Sequence, residues 1–397
     1  MKILIVSEVL LPGGAEAFSL GLAKELQNKG HAVNYFVLRQ NKVNTDYKNA
    51  LAPQVPFFTS RIFFPKFIEK VDGLLFSLGI NLSMLRFLFI RSIKRWIKKH
   101  KPDIVHSNLF SCDLVVTKAL KKNPIPVIMT IHGDYLRYDK EISSTRPIRV
   151  RNFQVSFKKV LQRLSAIICI TDKQVEFMKS TLDKFKISVP SQKIYNGFRL
   201  PVAAKKIIRE EMNIPSDALV IGMVARGIKE KGWEELILAF QNLNNEKSYL
   251  LLVGGGDFIE KMKNEYSHPR IIYVGAVTNP IDYIRLFDIG CLPSYSENLP
   301  TVIVEYLFCN KPVIATDTGE ISKMLKINTG KDCGLLVKVI ETGPIVNDIE
   351  SKVRQLVNDP NLMRTFVENT KAAIRDFDMD TCILNYEKIY QELSKGS

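Results

Sequence analysis

What most limits how this chain can fold is a repeated alternation. Short apolar runs are each followed by a turn and then by a longer segment with helical periodicity. Residues 2–7 form the first run, a helix-period segment follows from Ala15 to Lys29, and His31 to Leu38 reads as the next strand. Further strands are expected at Ile104–His106, Val127–Ile131 and Ala166–Ile170. The alternation restarts after Pro201, with strands at Leu219–Val224, Tyr249–Val253, Ile271–Val274, Ile289–Leu292 and Pro312–Ala315. Helices are expected between them at Trp233–Leu243, Ile259–Glu265, Ile281–Leu286 and Thr301–Cys309. Runs this apolar suit parallel strands buried on both faces, and strand–helix alternation builds a doubly wound sheet. Two series imply two Rossmann-like α/β domains, 1–196 and 197–376, with a linker near Asn196–Lys205 and a ligand cleft between them. Residues 377–397 read as a C-terminal helix, Met379–Leu393.

A chain of 397 residues is long enough for two such cores, and 46% hydrophobic with 24% charged residues is ordinary for a globular protein. The charge is unevenly placed. Residues 1–199 carry 33 Lys and Arg against 14 Asp and Glu, and the rest carries 23 against 27. A basic first half suits an anionic membrane, an acidic substrate or nucleic acid. No zinc-finger or RNP signature accompanies it, so no nucleic-acid partner is expected. The six cysteines are scattered without a CxxC, as free thiols in a reducing cytosol would be, and no signal peptide is read at the N-terminus.

Residues 55–101 interleave Phe, Leu and Trp with Lys and Arg. The longest uncharged run, Gly73 to Leu85, is short of the ~20 apolar residues needed to cross a bilayer. The mixture suits a helix lying on an anionic membrane surface, with Arg91, Lys94, Arg95, Trp96, Lys98 and Lys99 as the contacting residues. The same pattern also fits a core helix with one solvated basic face. The location expected is cytoplasmic, peripheral on the inner face of the membrane.

The chemistry concentrates in Pro293–Leu307, PSYSENLPTVIVEYL. Pro300 suits the first position of a helix, which puts Glu297 at the helix mouth and Glu305 about two turns in, partly buried. A helix N-terminus offers free N–H groups and a positive dipole end to phosphate. Arg226 follows the expected strand Leu219–Val224 at the end where doubly wound folds bind ligands, and Lys231 stands just before Gly232 and the next helix. Gly254-Gly255-Gly256 permits close backbone approach or a simple turn. Gly13-Gly14 after the first strand is a plausible phosphate-approaching loop but does not read GxGxxG. His132 ends a strand before Gly133, and His106 ends another and is a candidate for lining the ligand cleft. No closely spaced acidic pair follows a strand as a metal site there would need, so no metal or cofactor is expected.

In order and spacing these features resemble the retaining glycosyltransferases of family 4, which have the GT-B fold. The matching residues are KILIVSE with Gly13-Gly14-Ala15-Glu16, Asp103-Ile104-Val105-His106, Thr130-Ile131-His132-Gly133, Tyr195-Asn196-Gly197, Arg226 with Lys231-Gly232, and the E-x7-E pair Glu297 and Glu305. The resemblance implies two Rossmann-like domains facing across a cleft, with the C-terminal helix packed back on the first. It implies that Arg226 and Lys231 bind the donor diphosphate and that Glu305 binds the ribose hydroxyls. Glu297 would lie by the donor sugar, with the backbone of Asn298, Leu299, Thr301 and Val302 cradling sugar and phosphate oxygens. Gly14 would join the donor site, and His132 would be an active-site residue. The family usually has Gly-Phe-Pro after the first Glu, whereas this chain has Asn298-Leu299-Pro300. The partners the resemblance implies are a nucleotide-sugar donor, a UDP-sugar, and a glycan or lipid-linked oligosaccharide acceptor of bacterial surface polysaccharide assembly. A nucleotide-sugar 2-epimerase of the same fold and a non-catalytic scaffold in a glycan-assembly complex are the alternatives.

Overall fold

The computed structural model describes residues 1–77, 83–133, 147–201, 207–326, 331–341 and 343–395. Parts of two sequence features, 78–82 of the uncharged run and 202–206 around the linker, lie outside the described residues. The chain divides into two compact units: Met1–Gly197 with Met379–Ser397, and Phe198–Asp378.

The first unit holds a seven-stranded parallel sheet in the order β3-β2-β1-β4-β5-β6-β7. Its strands are β1 (Lys2–Ser7), β2 (Ala32–Val37), β3 (Phe57–Thr59), β4 (Ile104–Asn108), β5 (Val127–Ile131), β6 (Ala166–Cys169) and β7 (Ser191–Lys193). Side chains alternate across a strand, and both faces of this sheet are covered, so both sets are apolar. On one face Leu4 and Val6 join Phe36, Val105, Met129 and Ile167 beneath the helix Met84–His100. On the other, Ile3 and Ile5 join Tyr35, Ile104, Ile128 and Ile168 beneath the helices Gly14–Asn28 and Met379–Lys395. The last helix is pinned by polar contacts as well as apolar ones. Tyr390 Oη lies 2.7 Å from His106 Nδ1, and Tyr386 Oη lies 3.1 Å from Thr130 Oγ1.

The second unit repeats the plan with six parallel strands in the order β10-β9-β8-β11-β12-β13. These are β8 (Leu219–Val224), β9 (Ser248–Val253), β10 (Ile271–Gly275), β11 (Ile289–Leu292), β12 (Val313–Thr316) and β13 (Gly334–Val337). Trp233, Leu236 and Phe240 of the helix Trp233–Leu243 pack on Ile221, Met223 and Leu250, together with Ile349 and Val353 of the helix Val346–Asn358. In each unit the strand order reverses once, at β1/β4 and at β8/β11, and ligands of such sheets bind beyond the carboxyl ends of the strands at that point.

The helix Met84–His100 corrects one expectation. Arg91, Lys94, Arg95, Lys98 and Lys99 are exposed, but Trp96 is not a surface residue: it is only 8% exposed, in the core with Leu85, Phe89, Ile93 and Ile97. The helical repeat puts Trp96 in phase with Phe89 and Ile93, and the sheet supplies the apolar partner that a membrane would otherwise supply. All six cysteines are free thiols. No helix among the described residues is long and apolar enough to cross a membrane.

Candidate functional site

In the second unit, loops from four strand ends are knitted together. After β8, Arg226 leads into the turn Lys229–Lys231, and Gly232 then starts the helix Trp233–Leu243 with φ 76°. A Cβ on Gly232 would stand 1.9 Å from the carbonyl oxygen of Pro293, so only glycine lets this loop lie against the segment after β11. The approach is fixed by the Tyr295 N–H donating to Glu230 O at 2.9 Å. Lys231 Nζ consequently meets Glu297 Oε1 at 2.5 Å, with both side chains largely buried. From β9, the Gly254-Gly255-Gly256 stretch supports Arg226 by packing on the next residue: Gly227 N–H donates to Gly255 O at 2.9 Å. Arg226 is itself exposed, and its guanidinium has no partner among the described residues.

The helix Thr301–Phe308 begins beside this pair. Pro300 occupies the N-cap in extended conformation, one position before the expected first turn, and no side chain caps the helix. The N–H groups of its first turn therefore keep their hydrogen-bonding capacity and the dipole's positive end. Asn298 and Leu299 are half-buried, Thr301 is exposed and Val302 half-buried. Glu305 lies in the last turn of this short helix. It retains some exposure, yet burial raises its pKa to about 7, and its carboxyl has no hydrogen-bond or ion-pair partner among the described residues. A carboxyl held in that state is suited to accept hydrogen bonds from a ligand's hydroxyl groups.

The loop after β12 was not singled out by sequence. Glu320 N–H donates to Asn298 O at 2.9 Å, and Thr316 Oγ1 donates to Ser294 O at 2.6 Å, so this loop holds the Glu297 segment in place. Ser294 Oγ and Thr318 Oγ1 are buried without a hydrogen-bond partner among the described residues. The signal available was the polar Thr316-Asp317-Thr318-Gly319-Glu320 immediately at a strand end.

In the first unit, Gly14 is exposed at the start of the helix Gly14–Asn28, which has no side-chain cap. His132 follows β5, and its Nε2 lies 2.8 Å from Asn108 Oδ1, itself at the end of β4. Asn108 Nδ2 donates to Val6 O, so Oδ1 faces the ring and Nε2 carries the proton. Burial lowers the His132 pKa to about 4. His106 does not line a ligand surface: β4 continues two residues beyond it, and the side chain is fully buried between Tyr390 and Thr130. Burial, with the neighbouring His132 adding, lowers its pKa to about 3.

Both imidazoles are therefore neutral in the folded protein at pH 7. Below about pH 6.5 the unfolded chain takes up protons at these positions while the folded chain does not, so stability present above that pH is lost toward pH 4. The fully buried His106 alone is worth on the order of 3 kcal/mol across that window. Urea unfolding followed between pH 7 and pH 4 should show this fall, and His106→Gln should flatten it. An equally steep fall in the variant would remove His106 as the cause.

Among the described residues no group of three or more His, Cys, Asp or Glu is placed to hold a metal ion. Comparison with known proteins gives consistent results. The model of glycosyltransferase family 4 matches residues 12–200, and that of the glycosyl transferases group 1 matches residues 204–373. An uncharacterized glycosyltransferase of Methanocaldococcus jannaschii is 27% identical over 98% of this chain and 100% of its own length. The putative teichuronic acid biosynthesis glycosyltransferase TuaC of Bacillus subtilis is 27% identical over 75% of this chain and 72% of its own. The crystal structure of Anabaena HepE in complex with UDP superposes with a TM-score of 0.74 at 17% identity, over 99% of this chain and 100% of that one.

Proposed function

The chain belongs to the family 1/4 glycosyltransferases and has the GT-B fold, and from that premise we propose that it transfers a sugar from a nucleotide diphosphate donor to a glycan, retaining the anomeric configuration and using no metal ion. The donor is a UDP-sugar, in line with the UDP bound by HepE. The acceptor is a lipid-linked oligosaccharide of bacterial surface polysaccharide biosynthesis, the kind of pathway named for TuaC. The observation that carries this reading is the convergence of Arg226, Lys231, Glu297 and an uncapped helix start at the switch point of the second sheet.

The leaving nucleoside diphosphate gains negative charge as transfer proceeds. The Arg226 guanidinium, the Lys231 ammonium and the N–H groups of Thr301 and Val302 are the groups that stabilise it. Glu305 accepts from the ribose hydroxyls. Glu297, held by Lys231, stabilises positive charge at the anomeric carbon, and the ion pair suits that role better than nucleophilic attack. The bond from the anomeric carbon to the phosphate oxygen breaks. The acceptor oxygen bonds to that carbon on the same face, and its proton passes to the departing phosphate oxygen. His132, neutral and oriented by Asn108, positions a substrate hydroxyl in the first unit. The exposed Arg91, Lys94, Arg95, Lys98 and Lys99 hold the protein on an anionic membrane surface.

The test is thermal unfolding with UDP-, GDP-, ADP- and dTDP-sugars in the presence of EDTA. A donor at 100 times its dissociation constant should stabilise the protein by about 2.7 kcal/mol. The exposed, unpartnered Arg226 makes Arg226→Ala the cleanest variant, because it should lose the response without losing the fold. No response to any nucleotide sugar, or an undiminished one in the variant, would overturn the donor site. Isomerised donor without any acceptor would turn the assignment to an epimerase.

A further inference from the structure

Between the edge strand β3 and the helix Met84–His100 lies a cavity of about 960 Å³ that the sugar-transfer reading does not use. Its floor is aromatic: Trp96 meets Phe58 edge-on at 5.4 Å between ring centroids and stacks on His100 at 4.3 Å. Its rim is cationic. Arg91, Arg95 and Lys99 recur every fourth residue along one helical face, roughly 6 Å apart, and Arg61 stands with them in the lining. All four are exposed, none has a side-chain partner among the described residues, and no acidic residue lines the cavity. Trp96, only 8% exposed, keeps an indole N–H without an acceptor among the described residues.

The lip beside it is apolar and exposed. Phe63, Phe64 and Phe67 are 87%, 79% and 68% exposed. Phe64 also sits at φ 52°, a left-handed conformation that a bulky side chain adopts only at an energetic cost. A soluble surface gains nothing from three protruding phenylalanines, whereas a bilayer interior accepts them. The cavity lies at β3, four strands along the sheet from His132 at β5, so roughly 19 Å from it at ordinary strand spacing.

We propose that this cavity binds one anionic membrane lipid, with a hydrocarbon chain on the Phe58–Trp96 floor and the phosphate on Arg61, Arg91, Arg95 and Lys99. It deepens the membrane-surface reading above and rests on it, replacing diffuse attraction with a defined site. Charge complementarity selects the ligand: an apolar floor takes a chain, and a four-cation rim without a carboxylate takes a phosphate. Each buried methylene multiplies affinity about fourfold and each cation at an anionic surface about fivefold.

Dodecyl phosphate, used below its micelle concentration, is the soluble probe for calorimetry with the full chain. One site is expected, with a negative heat-capacity change that inorganic phosphate does not give. R61E/R91E/R95E should weaken binding on the order of 100-fold at about fivefold per cation, and F63S should weaken it severalfold. K118E/K121E/K122E, which alters a second basic concavity lined by Lys94, Lys98, Lys101, Lys118, Lys121 and Lys122, should leave it within about twofold. Absence of binding, or equal loss in both triple variants, would overturn the site. A clear preference for farnesyl diphosphate over dodecyl phosphate would overturn the bilayer assignment in favour of the acceptor's carrier lipid. Sedimentation with phosphatidylcholine vesicles, with and without phosphatidylglycerol, separates the two readings. If the wild type and R61E/R91E/R95E bind the anionic vesicles equally, the cavity fails while membrane attachment stands. If neither binds, attachment fails too, and donor-induced stabilisation remains an independent readout.

Discussion

Replacing Glu305 by Gln should make the unliganded protein more stable at pH 8 while removing most of its response to a UDP-sugar. Burial holds the carboxyl near pH 7 instead of its ordinary value of about 4.5. The native state therefore keeps a proton that the unfolded chain has released, and stability falls as pH rises from about 4.5 to about 7. Glu305 keeps some exposure, so the full penalty above pH 7 is on the order of 2–3 kcal/mol. The uncharged amide does not bear it, so wild type and variant should converge near pH 4.5 and diverge by pH 8. Ligand binding should move the other way. Hydrogen bonds to a charged acceptor contribute about 1.5–3 kcal/mol each, so losing the two from a ribose should weaken the donor on the order of 100-fold or more. In the wild type, donor affinity should rise between pH 6 and pH 8, because hydroxyl donors favour the ionised carboxylate. Melting curves over that range, with and without donor, read all three effects. A variant less stable than wild type at pH 8 would contradict the burial argument, and one that still binds donor would remove Glu305 from the site.

The second large effect is expected at Gly232. Alanine there must adopt φ 76°, a cost of about 1–2 kcal/mol for an L-residue, and its Cβ would stand 1.9 Å from the Pro293 carbonyl. Neither partner is a flexible side-chain end, so the two loops must separate. The loss should be about 3 kcal/mol or more, a large share of a typical margin of ~5–15 kcal/mol. Separation also breaks the hydrogen bond from Tyr295 to Glu230 and pulls Lys231 from Glu297. Gly13→Ala is the natural control: Gly13 has extended backbone, and the one close approach of the added carbon is to the end of the Glu16 side chain at 2.6 Å. Denaturant unfolding of the two variants should differ by most of that amount. Equal midpoints would show that the Gly232 loop relaxes freely.

Sequence made the interior strands legible because burial on both faces leaves unbroken apolar runs, as in Val127–Ile131 and Leu219–Val224. It missed the edge strands Phe57–Thr59 and Ser191–Lys193, which are three residues long and one of them wholly polar, and the four-residue edge strand Gly334–Val337. His106 was misplaced by a boundary. With β4 read as ending there, it looked like a strand-end residue, whereas two more paired residues bury it. Trp96 was misread for a different reason. An amphipathic helix has the same periodicity whether its apolar stripe meets a sheet or a lipid, and only tertiary context decides. At the candidate site, sequence indicated the residues but not their contacts. Nothing in local sequence brings Lys231 to Glu297, since that distance depends on two loops meeting at a glycine.

The return of Met379–Lys395 to the first unit has a consequence for how the protein is made. Tyr386 and Tyr390 close a core begun by Ile3 and Ile5, so the first sheet is completed only after the whole second unit has left the ribosome. Contacts this distant along the chain form slowly, and until they do the part of that sheet face not covered by the helix Gly14–Asn28 stays open. The second unit, continuous from Phe198 to Asp378, has no such wait. Folding therefore runs opposite to sequence order: the half made first is the last to close its core.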